Sequence, residues 1–369
     1  MLRRKKKRKT HFKMKKILVG MSGGVDSSAA ALLLKQQGYD VAGCTLKLFD
    51  GYDNEDIATR TCCSLSDVED ARMVCYRIGI EHHVFNFKDA FREYVTDRFA
   101  DSYINGKTPN PCILCNRHIK FDKMLRRAAE LGFDGIATGH YAKIDRDEKS
   151  GRYLLVRPAD RKKDQTYVLY SMTQHQLEHT LFPLYGLDKT QIRSVAEENG
   201  LVNARKPDSQ DICFIPDGDY AKFISEYTGR DFPEGDFLDT EGNVIGKHGG
   251  IHRYTIGQRK GLGVTFGKPV FVCDKDAEKN TVTLGDSDSL MKTVVEAEDV
   301  NLISVSDITA PMRVTAKTRY NMQDAPGILE RAGDSRIRVT FDTPQRAPAK
   351  GQALVVYDGD VVVGGGTII

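Results

Sequence analysis

The chain has 369 residues, with 54 Lys and Arg against 51 Asp and Glu, eight Cys, no Trp and 40% hydrophobic residues. This composition reads as a soluble globular protein and excludes a collagen, a coiled coil and wholesale disorder. No window reaches the ~18 consecutive apolar residues of a membrane span, and at roughly 150 residues per domain the length predicts two or three domains.

The net charge of +3 is unevenly spread, because residues 1–16 carry ten Lys or Arg and no acid, which leaves 44 basic against 51 acidic residues in the body. That stretch lacks the apolar face of a transit peptide and the apolar core of a secretory signal. It reads as a disordered basic extension, a start upstream of Met14, or a nucleic-acid-binding tail. Eight cysteines without a signal peptide point to a reducing, cytoplasmic compartment, where thiols serve chemistry, metals or packing.

Residues 17–21 (ILVGM) form a continuous apolar run, the pattern of a buried parallel strand, and enter a Gly-Ser turn before an apolar helix over 27–37 that Gly38 stops. A second strand is predicted over 41–48. It is followed by a helix over 67–78, introduced by a Ser66/Glu69 capping box and closed by Gly79. Residues 82–87 predict a third strand, 89–104 a helix, 116–131 a helix ending at Gly132, and GIAT (135–138) a strand running into Gly139-His140. Helices are also predicted over 173–181 and over 188–199, the latter starting at Asp188 and stopped by Gly200. This alternation predicts an α/β parallel sheet covered by helices, with ligands at the carboxyl ends of the strands.

From about residue 217 Gly becomes frequent, helical periodicity fades, and short β-branched runs such as KPVFVCD and TVTLGD appear. Beyond 290 the pattern is all strand (VVEAEDV, MRVTAKTRY, SRIRVTF, ALVVYDG, VVVGGGTII), which suits a small closed barrel. The predicted division is a basic extension over 1–16, a parallel-sheet catalytic domain over 17–216, a small central β-rich domain over 217–289 and a C-terminal β-barrel over 290–369.

The strongest motif is SGGVDS, Ser22 to Ser27, between the first strand and the first helix. Its five fixed letters arise by chance on the order of 10⁻³ or less per chain. Gly23 and Gly24 allow close backbone approach and positive φ, while consecutive N–H groups and the helix dipole make an anion site. Hydroxyls of Ser22, Ser27 and Ser28 are candidate donors to phosphate. No Lys stands where a Walker loop requires one. The motif resembles instead the PP-loop of ATP pyrophosphatases, which activate a carbonyl oxygen as an adenylate. Asp26 is a candidate partner of the metal-bound pyrophosphate.

The cysteines sort by surroundings. Cys44, Cys75 and Cys273 lie in apolar runs and read as packing residues. Cys112 and Cys115 form a CxxC just before a helix, with Arg117, His118 and Lys120 nearby, a setting that favours the thiolate. Cys213 lies between polar residues and an apolar run in PDSQDICFI. A structural zinc site would need two further ligands, for which Cys62-Cys63 are the available pair.

SGGVDS, PNPCILCN, ATGHYA, KKDQTYVLY, KPDSQDICFI, YTIGQRKGLG and TRY occur in the same order as in the tRNA-specific 2-thiouridylases, which the chain resembles over nearly its whole length from residue 17. The resemblance implies an adenine nucleotide alpha hydrolase-like first domain. Cys115 then matches the nucleophilic cysteine and Cys213 the persulfide carrier. Gly20, Met21, Ser22, Gly23, Gly24, Val25, Asp26, Ser27, Leu46 and Gly139 match the ATP-contacting positions. Asn110, Pro111 and Cys112 match the segment that meets the target base, and His140, Lys163, Asp164, Gln165, Arg319, Tyr320 and Gln352 match positions that contact tRNA. Better-known members carry Asp in place of Cys112. An acid/base role for that Asp therefore does not transfer, and Cys112, Cys115 and Cys213 become candidate ligands of an iron–sulfur cluster.

The implied activity is 2-thiolation of the wobble uridine of tRNA using ATP with Mg²⁺, a persulfide donor or carrier protein, and a reductant. Adenylation would turn the uracil 2-oxygen into a leaving group, and sulfur from Cys213 would reach the activated carbon either directly or as sulfide released by Cys115. The base must be extruded from the anticodon stack at a cost of about a few kcal/mol. Phosphate contacts are expected from Arg161-Lys162-Lys163 and from residues 312–350, which hold eight Lys or Arg against four acids. The rival readings are another PP-loop enzyme, such as a tRNA lysidine synthetase or an amidating synthetase, and a non-catalytic RNA-binding protein with a degenerate nucleotide fold.

Overall fold

The computed structural model describes residues 14–49, 65–207, 212–263, 267 and 269–369. The basic residues 1–13 and the Cys62-Cys63 pair invoked for a zinc site lie outside them. No helix among the described residues is long and apolar enough to cross a membrane.

Among the described residues, the first domain is built on five parallel strands. They are β1 (Lys16–Gly20), β2 (Asp40–Lys47), β3 (His82–Asn86), β4 (Gly135–Ala137) and, after a hairpin of β5 (Lys143–Arg146) and β6 (Tyr153–Val156), β7 (Thr180–Leu181). The sheet order is β3-β2-β1-β4-β7. The strand β1 lies at its centre, with Ile17, Leu18 and Val19 wholly buried, which is why its sequence is continuously apolar rather than alternating. Leu18 belongs to one apolar cluster and Ile17 and Val19 to another, one on each face of the sheet. The helix α1 (Val25–Gln36) follows β1 directly, and Gly38, Gly79, Gly132 and Gly200 all take positive φ at the helix stops read from sequence.

Three local readings change. The second helix runs over Leu65–Ile78, so it takes in Ser66 and starts before the expected residue 67. The helix expected over 116–131 is continuous from Pro111 to Glu130 and is π-wound between Cys115 and Lys123. Its start moves forward because Asn110 caps it, accepting the Cys112 N–H at 3.1 Å, and Pro111 takes the first helical position. The hairpin β5–β6, which was not foreseen, leaves the parallel sheet altogether and joins the C-terminal sheet.

The central region holds a four-stranded sheet of β8 (Gly235–Leu238), β9 (Val244–His248), β10 (Phe271–Asp276) and β11 (Thr281–Gly285). It also contains a helix, Tyr220–Thr228, in the stretch where the sequence predicts fading helical periodicity; Asp219 caps it and Gly229 ends it in the left-handed region. The chain then forms β12 (Met291–Leu302), β13 (Met312–Lys317), β14 (Ala325–Arg331), β15 (Ile337–Arg346), β16 (Ala353–Asp358) and β17 (Val361–Ile368). Pairing of β12 with β17 closes these six into a barrel; β16 takes one edge of β17, and the edge that β12 uses at residues 364–368 receives β6 at Val361. One apolar cluster runs from Leu18, Phe121 and Tyr167 of the first domain into Ala353, Val355, Tyr357 and Val362 of the barrel, so the two are joined by a shared core.

Candidate active site

The phosphate loop is shaped by its glycines and by a distant asparagine. Gly23 has φ +72°, and a Cβ there would lie 2.6 Å from the Asp67 carbonyl oxygen, so only glycine fits. Gly24 is the N-cap of α1 and offers no side chain, which leaves the first-turn N–H groups open to a bound anion. Asn203, buried, donates from Nδ2 to the Gly23 carbonyl at 2.8 Å and to Ser28 Oγ at 2.9 Å. Ser27 and Ser28 donate to the Gly24 carbonyl at 3.0 Å each, and the Ser22 N–H donates to Ser27 Oγ at 3.2 Å. The Ser28 hydroxyl is therefore committed to the loop, which leaves the exposed Ser22 better placed to meet a phosphate than Ser28.

Gly139, after β4, packs against this loop: a Cβ there would lie 2.7 Å from the Ser27 nitrogen and 2.8 Å from the Asp26 carbonyl carbon. Gly20 at the end of β1, Met21 with its N–H on the Cys44 carbonyl, the buried Val25, and Leu46 on β2 complete the ring of predicted positions around the carboxyl ends of the strands. Asp26 Oδ1 accepts from the Tyr141 hydroxyl at 2.8 Å and from Lys189 Nζ at 2.7 Å. Lys206 Nζ bonds Asp67 and Asp70, and although burial opposes its charge, these carboxylates hold its pKa above the ordinary lysine value. Sequence reasoning missed Tyr141, Lys189, Asn203 and Lys206, although Tyr141 adjoins the ATGH run and Lys206 opens KPDSQD.

The two proposed catalytic thiols border one apolar cluster. Cys115, 8% exposed, sits in the first turns of the helix capped by Asn110, and Cys213, half-buried, packs against the cluster that contains Cys115 and Leu46. Phe214 anchors the Cys213 turn, with its ring 5.3 to 5.6 Å from those of Phe91, Phe99 and Phe223. Cys112 is exposed. Two of the cations expected to act on the thiols are engaged elsewhere. Arg117 pairs with Asp299 of β12, and His118 stacks on Tyr94 at 4.8 Å with its pKa lowered by burial and then by Arg117. Cys44 and Cys75 are wholly buried, and burial raises the pKa of both, as suits packing residues; Cys273 is half-buried with its Sγ on the Phe271 carbonyl.

The segment expected to meet the base docks on the barrel. The Thr108 N–H donates to the Lys350 carbonyl at 2.7 Å and its carbonyl accepts from Gln352 Nε2 at 2.8 Å, which brings Asn110, Pro111 and Cys112 to the barrel rim. Tyr320 lies there too. Its pKa is raised by burial and then by the nearby charges of Asp164 and Cys112, and its ring stands 5.9 Å from that of Tyr167. A cleft of about 380 Å³ opens beside this junction, lined by residues that include Arg98, Lys107, Asn110, Tyr170 and Asp299.

Other predicted RNA contacts are held by protein partners. Arg319 donates through Nη2 to the Ile256 and Ala347 carbonyls, tying the barrel to the central region. Asp164 accepts from Thr166 and pairs with Arg157 at 3.5 Å, with its side chain 7% exposed. Gln165 Oε1 accepts the Tyr141 N–H. His140 is buried against Phe121 and Phe182, hydrogen-bonds Thr138 at 2.7 Å, and is held neutral by burial. Lys162 is exposed and Lys163 half-buried, while Arg161 pairs with Asp360. Within residues 312–350, five of the eight cations are paired with acids: Arg313, Lys317, Arg331, Arg338 and Lys350. The basic surplus on the barrel is thus smaller than its sequence suggests.

Comparison with known proteins shows the family of the chain. The chain matches the tRNA methyl transferase HUP domain over residues 15–217, the tRNA methyl transferase PRC-barrel domain over 221–286 and the aminomethyltransferase beta-barrel domain over 292–368. It is 54% identical to the tRNA-specific 2-thiouridylase MnmA of Clostridioides difficile (strain 630), over 97% of this chain and 99% of that protein. It is 52% identical to the protein of the same name from Acetivibrio thermocellus, over 96% and 99%. Among solved structures, the U34-tRNA thiolase NcsA from Methanococcus maripaludis with its [4Fe-4S] cluster aligns over 58% of this chain and 68% of its own at 19% identity, with a TM-score of 0.33, too distant to bear on chemistry. With that identity to its relatives across nearly the full length of both chains, the protein belongs to the family of the tRNA-specific 2-thiouridylases.

Proposed function

We propose that this protein replaces the 2-oxygen of the wobble uridine in tRNA with sulfur, using ATP. The observation that carries this reading is that Cys115 and Cys213 border a single apolar cluster that also reaches Leu46 on β2, beside the phosphate loop. The open N–H groups of α1 would hold the phosphates, and Asp26, fixed by Tyr141 and Lys189, would face the magnesium that accompanies them.

In the proposed sequence, the uracil 2-oxygen attacks the α-phosphorus of ATP and pyrophosphate leaves. The outer sulfur of a Cys213 persulfide attacks the activated carbon, and AMP leaves with the original oxygen. The Cys115 thiolate then attacks Cys213 Sγ, freeing the thiocarbonyl and leaving a Cys115–Cys213 disulfide for an external dithiol to reduce. In the variant order, Cys115 attacks the persulfide first and the released hydrosulfide attacks the carbon; atoms and electrons balance equally. The protein then acts in a reducing, cytoplasmic setting with tRNA, a persulfide donor and a reductant as partners. Asn110, Pro111, Cys112, Tyr320 and Gln352, gathered at the barrel rim, would receive the extruded base. Lys162 and Lys163 would meet phosphates, and Asp164, Gln165, His140 and Arg319 would shape that surface from beneath.

The test is mass spectrometry of tRNA nucleosides together with pyrophosphate release from ATP. Release should depend on unmodified tRNA, and Cys115→Ser and Cys213→Ser should each abolish 2-thiouridine while still binding tRNA. Thiolation by either variant sinks the two-thiol scheme, and tRNA-independent release favours another PP-loop enzyme. Anaerobically purified protein that is active without iron supports the disulfide route; activity that requires bound iron would replace it with a cluster held by Cys112, Cys115 and Cys213.

A further inference from the structure

Residues 174–179 read QHQLEH, and the helix Gln174–Glu178 with its C-cap His179 places His175, Glu178 and His179 at spacings i, i+3 and i+4. Their ligand atoms all lie within 4.8 Å of one another, and they are the one such set of three among the described residues. Two of the three are already oriented by neighbours. The His175 carbonyl accepts from His179 Nδ1 at 2.9 Å, so that ring carries its proton on Nδ1 and presents the lone pair of Nε2. The Tyr153 hydroxyl donates to Glu178 Oε1 at 3.1 Å, which fixes the carboxylate and leaves Oε2 for another partner. These are the outer hydrogen bonds that orient metal ligands.

We propose that His175, Glu178 and His179 bind a divalent transition-metal ion of the zinc class. Two neutral imidazoles and one carboxylate, with no thiolate, suit zinc or cobalt rather than magnesium or calcium, and three protein ligands leave room for water. The site is structural rather than catalytic. The His179 carbonyl accepts the Ile136 N–H of β4, at the amino end of the parallel strands, whereas the phosphate loop and Gly139 lie at the carboxyl end. On the other side, Gln174 bonds the Tyr153 backbone and the Ile303 carbonyl, which ties the same helix to the hairpin β5–β6 and the segment after β12. A bound ion would staple the corner where the first domain meets the barrel sheet.

Cobalt titration of the full chain tests the site. Saturable uptake of one Co²⁺ with visible d–d bands is expected in wild type and in the Cys112→Ser/Cys115→Ser/Cys213→Ser variant, and should be lost in His175→Gln/His179→Gln. Tyr153→Phe, which removes only an outer hydrogen bond, should weaken binding about tenfold. Zinc should raise the melting temperature of wild type but not of the histidine variant, whose metal-free circular dichroism and tRNA-dependent pyrophosphate release should match wild type. Absence of saturable uptake overturns the proposal, as do bands that persist in the histidine variant or vanish with the three thiols.

Discussion

Lys189 Nζ lies 2.7 Å from Asp26 Oδ1, on the same oxygen that the Tyr141 hydroxyl reaches at 2.8 Å. Lys189 is the residue after the Asp188 cap of its helix, so a capping box on one element delivers a cation to the phosphate loop of another. A charge-assisted hydrogen bond is worth about 1.5–3 kcal/mol, so Lys189→Met should lower tRNA-dependent pyrophosphate release about ten- to hundredfold. Tyr141→Phe removes a neutral donor and should cost less, about fivefold. The checks are steady-state rates against MgATP and tRNA separately; a Lys189 effect confined to the tRNA dependence would contradict a role at the phosphates.

Gly139 is the point where the end of β4 touches the loop. With a Cβ 2.7 Å from the Ser27 nitrogen and 2.8 Å from the Asp26 carbonyl carbon, Gly139→Ala must push α1 and its open N–H groups away from the anion site. ATP turnover should fall by about a hundredfold, as expected for a misplacement near 1 Å, with the circular dichroism of the folded chain retained. Unchanged turnover would mean that the loop yields freely.

How much of this was legible in the sequence depended on whether the signal was local. The SGGVDS loop, β1, the CxxC at a helix start and the strands of the barrel all follow from short-range pattern. Lys189 and Asn203 reach the loop from 163 and 180 residues away, and no periodicity announces such a contact. The hairpin β5–β6 was invisible because its short strands, KIDR and YLLV, are only partly buried and join a sheet whose other strands lie at residues 291–368. Pro326 and Gly327 disguised β14, although its middle pairs regularly with β13 and β15. The helix Tyr220–Thr228 did carry a signal, apolar residues at 220, 223, 224 and 227, but surrounding glycines set the reading there. The charge count over 312–350 misled for another reason: acids such as Asp164, Asp274, Glu296 and Asp307 come from outside the window to pair with its cations.

Phe214 is the anchor beneath Cys213. It is 4% exposed and meets three other aromatic rings, so Phe214→Ala removes a filled core position and should destabilise the chain by about 3–5 kcal/mol. The adjacent thiol should also lose its fixed position. Alkylation of Cys213, followed by peptide mass spectrometry below the melting temperature, should speed up while Cys44 and Cys75 stay protected. Equal alkylation rates in wild type and variant would show that Phe214 does not hold the turn.

Lys275 gives the fold a defined pH dependence. Its amine is buried on β10, donates to the Tyr254 carbonyl at 2.7 Å and lies over the Tyr103 ring of the helix Asp97–Ile104, and burial, only partly offset by Asp274, lowers its pKa from 10.5 to about 8. Below pH 8 both folded and unfolded chains hold the proton, and the folded state bears the cost of a desolvated charge. Between pH 8 and 10.5 the unfolded chain holds a proton that the folded chain has released, so this group makes stability rise with pH across that window. Other groups titrate there too, which makes the difference from Lys275→Met the informative quantity. Wild type should gain on the variant by about 3 kcal/mol or less between pH 7 and 10.5, read from urea midpoints at each pH. A constant difference, or one of opposite sign, would mean that the Lys275 amine keeps its charge at no cost in the folded protein.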